Sequence, residues 1–194
     1  MSSDLHVPRL RTSDAGFTLV ELLIYISLMV VVLLIVGGML INSLQVERTV
    51  RSSTQATNAG QLVSLSIGQG VRNSSSVWHS ASGVVPEVLI VRTVGVRAPA
   101  NWFCQAWSYE AGKIRTKTST ALIPTDASSI MTWTLLGDGM QQVSGSPVFV
   151  KSGRSVTLNL DVSTGTGKPV RISTVSTSRQ PVPATGVEVS TPCF

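Results

Sequence analysis

The sequence predicts an α+β protein: a long N-terminal helix, its first half transmembrane, packed through its second half against an antiparallel β-sheet head. Three observations predict it. From Phe17 to Ile41 the chain is almost wholly Leu, Val, Ile and Met, and Glu21 is its only charged residue. From residue 59 to 71, apolar or small residues recur at helical spacing (Ala59, Leu62/Val63, Ser66/Ile67, Gly70/Val71). Beyond Asn73 the pattern changes to short β-branched runs separated by Gly, Ser, Thr and Pro.

The apolar run comes first. At about 1.5 Å per residue a helix over 17–41 is roughly 37 Å long, enough to cross a hydrocarbon core of about 30 Å with some tilt. An ordinary secretory signal places its apolar core before a small-residue cleavage site, so the apolar part is discarded. Here the small-residue junction Ala15-Gly16 precedes the run, so cutting there would leave the hydrophobic helix as the new N-terminus. Residues 1–16 therefore read as a leader. Glu21 is equally unusual, because a carboxylate in a bilayer costs up to a few kcal/mol and by default has a functional partner. The plainer alternative is a side chain one turn from the surface, reaching water.

Gly16-Phe17-Thr18-Leu19-Val20-Glu21-Leu22-Leu23 resembles the N-terminal processing motif of type IV pilins and type II secretion pseudopilins. The resemblance implies cleavage by a prepilin peptidase between Gly16 and Phe17, and N-methylation of Phe17. It also implies that Glu21 neutralises the N-terminal ammonium of a neighbouring subunit as the helix enters a filament. The physics agrees: a carboxylate and an amine are each costly in an apolar core and tolerable together. Many type IV pilins carry a helix-breaking Pro in this segment, and this sequence does not. Gly37-Gly38 can serve the same end, or can let helices pack closely.

The helix is expected to continue over 42–73, amphipathic from about residue 59, with a polar stretch from Val46 to Thr57 and an end at Asn73-Ser74-Ser75-Ser76. The head, 74–194, reads as five to seven antiparallel strands. Glu87 to Val94 is a β-branched run fit for a buried strand. Phe103 to Tyr109 and Lys113 to Thr118 flank Glu110-Ala111-Gly112 as a hairpin, and Ile130 to Leu136 ends at Gly137-Asp138-Gly139. Ser155 to Val162 alternates Val156, Leu158, Leu160 and Val162 with polar residues, and Pro169 to Thr177 is its return strand. The tail from Ser178, with Pro181, Pro183 and Pro192, reads as extended unless tied down.

Cys104 and Cys193 are the only cysteines. If the head is exported, they most simply form one disulfide holding the tail, as is common in type IV pilins; the alternative is two unpaired thiols. No metal or cofactor is expected. Asp138 between two glycines resembles the calcium ligands of some pseudopilins, yet one carboxylate falls short of a site of six to eight oxygens.

Enzyme signatures are missing, and no catalytic residue is assigned. His6 lies in the leader and His79 in a Ser-rich segment, where a solvent-exposed loop residue is expected. Ser144-Gly145-Ser146 lacks the flanks of a nucleophile elbow. Gly165-Thr166-Gly167-Lys168-Pro169 has Pro where a phosphate loop needs Ser or Thr. Past Ile41 there are thirteen Lys/Arg against seven Asp/Glu. The basic residues are scattered, which favours a solvated basic surface over a DNA site. Arg9 and Arg11 before the run and Arg48 and Arg51 after it leave orientation unsettled.

The expectation is a minor pilin or pseudopilin of a type IV pilus, competence pilus or type II secretion system. Its partners would be other pilin subunits, the prepilin peptidase, an assembly platform and ATPase, and the membrane, with the head outside the cytoplasm. The stretches Gln61 to Leu65 and Val71 to Val77, with the Val156 to Thr177 hairpin, are similar to J-class (PilW-like) minor subunits. A major pilin, or a membrane-anchored adhesin or DNA-binding head, is the alternative.

Overall fold

The structure, a computed structural model, describes residues 18–81, 83–95, 101–165, 167–182 and 186–194. Gly16, Phe17, Arg97, Thr166 and Pro183 lie outside the described residues. The helix α1 (Leu19–Arg72) is followed by β1 (Ser74–His79), β2 (Glu87–Val94), β3 (Trp102–Glu110) and β4 (Lys113–Ser119). Then come a short helix α2 (Ala127–Met131), β5 (Thr134–Gly137), β6 (Met140–Gln142), β7 (Phe149–Ser152), β8 (Ser155–Val162) and β9 (Val170–Thr177). The fold class is the α+β arrangement expected. The chain divides into two compact units, Met1–Glu47 and Arg48–Phe194.

In the first unit the described residues form the opening part of α1. Every Leu, Val, Ile and Met between Leu19 and Ile41 is exposed among the described residues. The helix runs unbroken through Gly37 and Gly38, where an added Cβ would meet nothing.

In the second unit, α1 from Arg48 onward supplies one wall of a core. Its buried stripe is Ala56, Gly60, Val63, Ile67, Gly70 and Val71. Leu62, expected inside, is about half exposed. The reason is close approach: Gly60 sits against the side chains of Ile172 and Val162, and Gly70 against the indole of Trp107. Glycines let the strands come nearer than a leucine would, so the buried face is rotated toward them. Trp107 donates its Nε1–H to Ser66 Oγ at 3.0 Å, satisfying the indole's one polar group.

Two antiparallel sheets pack on this stripe. The first has the order β1-β2-β3-β4-β5. In the second, β8 pairs along its length with β9 and in turn with β7 (Ser155–Leu158) and β6 (Leu160–Val162). β2 is apolar without alternation because both its faces are covered. Leu89 and Val91 join Trp107, Phe149 and Leu158 in the core shared with α1. Val88 and Ile90 face the other way, onto Ile123, Ile130, Trp133 and the cysteines. Along β8, Val156, Leu158, Leu160 and Val162 are all buried, as their alternation predicts.

Two expectations about the strands are corrected. The segment from Ile130 begins in α2, whose N-cap Asp126 accepts the Ser129 N–H at 2.9 Å, and the strand starts only at Thr134. The helix ends at Arg72, before Asn73 as expected, and Ser74 opens β1 at once, its hydroxyl donating to Val71 O at 2.7 Å. β6 and β7 were not expected as strands, being three and four residues long and without periodicity. The β3–β4 hairpin turns at Ala111 and Gly112, both with positive φ (48° and 77°), as a two-residue primed turn requires.

Gly70→Ala is expected to destabilise the second unit by about 1–3 kcal/mol, because the rigid, buried Trp107 ring must shift for a methyl group. Urea unfolding followed by Trp fluorescence measures this; a stabilised variant, as helix propensity alone predicts, would refute the close-approach account.

Candidate functional site

Thr18 stands immediately before α1, and its Oγ1 accepts the Glu21 N–H at 3.3 Å. Thr18-Leu19-Val20-Glu21 thus has the spacing of a capping box, in which a hydroxyl and a carboxylate three residues on satisfy the open N–H groups of a helix start. Glu21 lies in the first turn, where the helix dipole favours negative charge. Tyr25, one turn on, donates its hydroxyl to Glu21 Oε1 at 3.5 Å. This capping role was missed at the sequence level, although Thr-x-x-Glu before an apolar run is its signal. The carboxylate is half-buried, and the side chains around it are those of the apolar run.

In the second unit Cys104 and Cys193 form a disulfide with a Cα–Cα distance of 5.3 Å, and both are fully buried. It pins the C-terminal tail to β3, on the face of the first sheet turned away from α1. The tail is held along its course as well. Arg179 N donates to Arg72 O at 2.9 Å, and the Ser75 and Ser76 hydroxyls donate to Val189 O at 3.0 and 2.9 Å. Arg154 pairs with Glu188 at 3.4 Å. The described residues of the tail are tied down.

The same unit holds a buried polar cluster that the sequence did not reveal. Glu87, at the start of β2, is 1 % exposed. Its carboxylate accepts the backbone N–H of Val148 at 3.0 Å and of Phe149 at 2.8 Å. His79 Nε2 lies 3.2 Å from Glu87 Oε1, with its ring edge-on to Phe149 at 6.3 Å. Burial pushes the Glu87 carboxyl up, but the His79 hydrogen bond, the two amides and the imidazole charge outweigh it and hold the group below its ordinary value. His79 is therefore not an exposed loop residue. It lies on β1 with its side chain 7 % exposed, because the β1–β2 pairing carries it beside Glu87.

A family model for the prokaryotic N-terminal methylation motif matches residues 11–37. The chain carries the N-terminal methylation motif of type IV pilins and pseudopilins. No curated protein matches the chain. The motif spans Gly16, Phe17 and Glu21, and with the long apolar helix it fits membrane anchoring of a pilin-like protein. It implies processing by prepilin peptidase and assembly with other pilin subunits.

The remaining residues of interest in this pilin-like chain are accounted for within the second unit. Arg171 makes a two-point pair with Asp161 (2.9 and 3.0 Å), its cross-strand partner. Arg92 stacks over Trp102 at 4.2 Å, and Arg115 donates to Trp133 O at 3.0 Å. Much of the basic balance thus serves contacts inside the unit. Asp138 accepts the Gly139 N–H at 2.7 Å, and no group of three or more His, Cys, Asp or Glu gathers among the described residues.

Replacing both Cys104 and Cys193 by Ala opens a loop of sequence separation 89. The expected loss is about 4 kcal/mol in the chain-entropy model, read as a lower urea midpoint than that of the oxidised protein. An unchanged midpoint would show that the tail is secured by its hydrogen bonds and packing alone.

Proposed function

We propose that this chain is a minor pilin or pseudopilin, a structural subunit and not an enzyme. The single observation that carries this reading is the methylation motif at residues 11–37, set on an apolar helix whose only charge before Glu47 is Glu21. Prepilin peptidase hydrolyses the Gly16–Phe17 bond, residues 1–16 are lost, and Phe17 becomes an N-methylated N-terminus. The subunit then waits in the membrane with its β-sheet head outside the cytoplasm. An assembly platform and ATPase extract the helix into a filament of a type IV pilus, competence pilus or type II secretion system. Glu21 pairs there with the terminal ammonium of a neighbour, each charge offsetting the desolvation of the other.

The exposed apolar surface from Leu19 to Ile41 supports the reading, since a surface of this extent needs lipid or other helices to cover it. The likeness of Gln61 to Val77 and of the Val156 to Thr177 hairpin to J-class (PilW-like) subunits favours a minor over a major pilin. A DNA-binding or adhesive head is the weaker alternative, because several of the arginines are engaged inside the unit.

Intact mass and N-terminal sequencing of the protein from native membranes, without reducing agent, test the processing step. A start at N-methyl-Phe17 is expected; a start at Met1 or Ser2 would leave a plain membrane anchor. Capping and charge pairing at Glu21 are separable. Gln also fits a capping box, so Glu21→Gln keeps the cap and removes the charge. Both Glu21→Gln and Glu21→Ala should be processed normally but incorporate into filaments at least about tenfold less. Full incorporation of Glu21→Gln would leave Glu21 with the capping role alone.

A further inference from the structure

We propose that Glu87, His79 and the amides of Val148 and Phe149 form an acid-released latch, which at neutral pH clamps the segment 143–149 and the start of β7 onto the first sheet. The latch joins elements that ladder hydrogen bonds do not join. Glu87 belongs to the first sheet, whereas Phe149 opens β7 of the second. The loop before it, Val143 to Pro147, lines an open hollow of about 540 Å³ with Gly83 of the β1–β2 connection. Two consecutive amides converge on one carboxylate, which ties this segment to the first sheet, while on its other side the Asn159 N–H donates to Val148 O at 2.9 Å and Phe149 pairs with Leu158 of β8.

Only the ionised carboxylate accepts both amides and the imidazole together. Protonation removes the charge that strengthens these hydrogen bonds and turns one of the carboxyl's acceptor positions into an O–H. The groups facing the pair are few. His79 comes from β1 and Tyr109, directly opposite Glu87, from β3; β7 presents backbone amides. Of the charged residues on β7 and β8, Lys151 is exposed and Asp161 is already paired with Arg171. No second carboxylate in this set can take over the amides.

The direction in pH follows. A carboxyl held below its ordinary value, here 4.5, stabilises the folded form above that value. The contribution is lost as pH falls through the folded-state value, so release lies below about pH 4.5. The neighbouring strands do not depend on it: β8 keeps its ladder with β9, and the disulfide does not titrate. Release is therefore local: 143–149 parts from the first sheet and uncovers the buried Val148 and Phe149, the Asn159 N–H that donates to Val148 O loosens with it, and the β8–β9 ladder stays closed.

Hydrogen exchange by mass spectrometry on the full chain in detergent, from pH 7 to pH 3 with rates corrected for intrinsic pH dependence, tests the latch. Peptides over 143–150 should lose protection by about tenfold or more below pH 4.5, while those over 170–177, which pair with the far side of β8, hold theirs. In Glu87→Gln the 143–150 segment should already exchange fast at pH 7 and show no further acid step. The wild-type series decides without the variant. Protection of 143–150 that persists to pH 3 would overturn the proposal, as would loss of 170–177 protection at the same pH. An acid step surviving in Glu87→Gln would overturn it too.

Discussion

The close contact between one stripe of α1 and the strands above it governs the second unit. Ala56, Gly60, Val63, Ile67, Gly70 and Val71 form a surface that is low at the glycines and apolar between them. Ile172 fills the hollow at Gly60 and Trp107 the hollow at Gly70. Val63, Ile67 and Val71, each 2 % exposed or less, contribute about 1.5–3 kcal/mol apiece relative to exposure. Because β8 and β9 meet the helix near Gly60 and β3 meets it near Gly70, both sheets are positioned by the same stripe. A helix with ordinary side chains at these two points would hold the sheets farther off and open the core between them.

Two carboxylates stand in apolar surroundings and are handled differently. Glu87 is satisfied within the chain: two backbone amides and an imidazole meet it, and its pKa lies below the ordinary value despite burial. Among the described residues, Glu21 meets the first-turn N–H of its own helix and the Tyr25 hydroxyl. The first is a closed polar cluster. The second retains the capacity to meet a charge from another molecule, which the proposed filament role uses.

The tail illustrates how irregular chain is kept in place. Its described residues from Ser178 onward pair in neither sheet, yet they are fixed by a buried disulfide, by serine hydroxyls at the head of β1 and by the Arg154–Glu188 pair. It covers part of the first sheet's second face, which is why β2 can be apolar on both sides.

What the sequence determined by itself were the features carried by neighbours in the chain. The run from Phe17 to Ile41, the Gly16 to Leu23 motif, the unbroken β-branched stretch of β2, the turn at Ala111-Gly112 and the alternation of β8 all depend on spacing within a few residues. The capping box at Thr18 and Glu21 is equally local, its Thr-x-x-Glu spacing standing directly before the apolar run. What tertiary structure decided depends on residues far apart in the chain. Leu62 is exposed because Trp107 and Ile172 reach the glycines. β6 and β7, too short to show a period, exist because β8 offers them an edge. His79 is buried because β1 pairs with β2, and Glu87 is satisfied by amides 61 and 62 residues away. Local periodicity fixes which face of an element is apolar, but only long-range pairing determines which polar groups are brought inside with it.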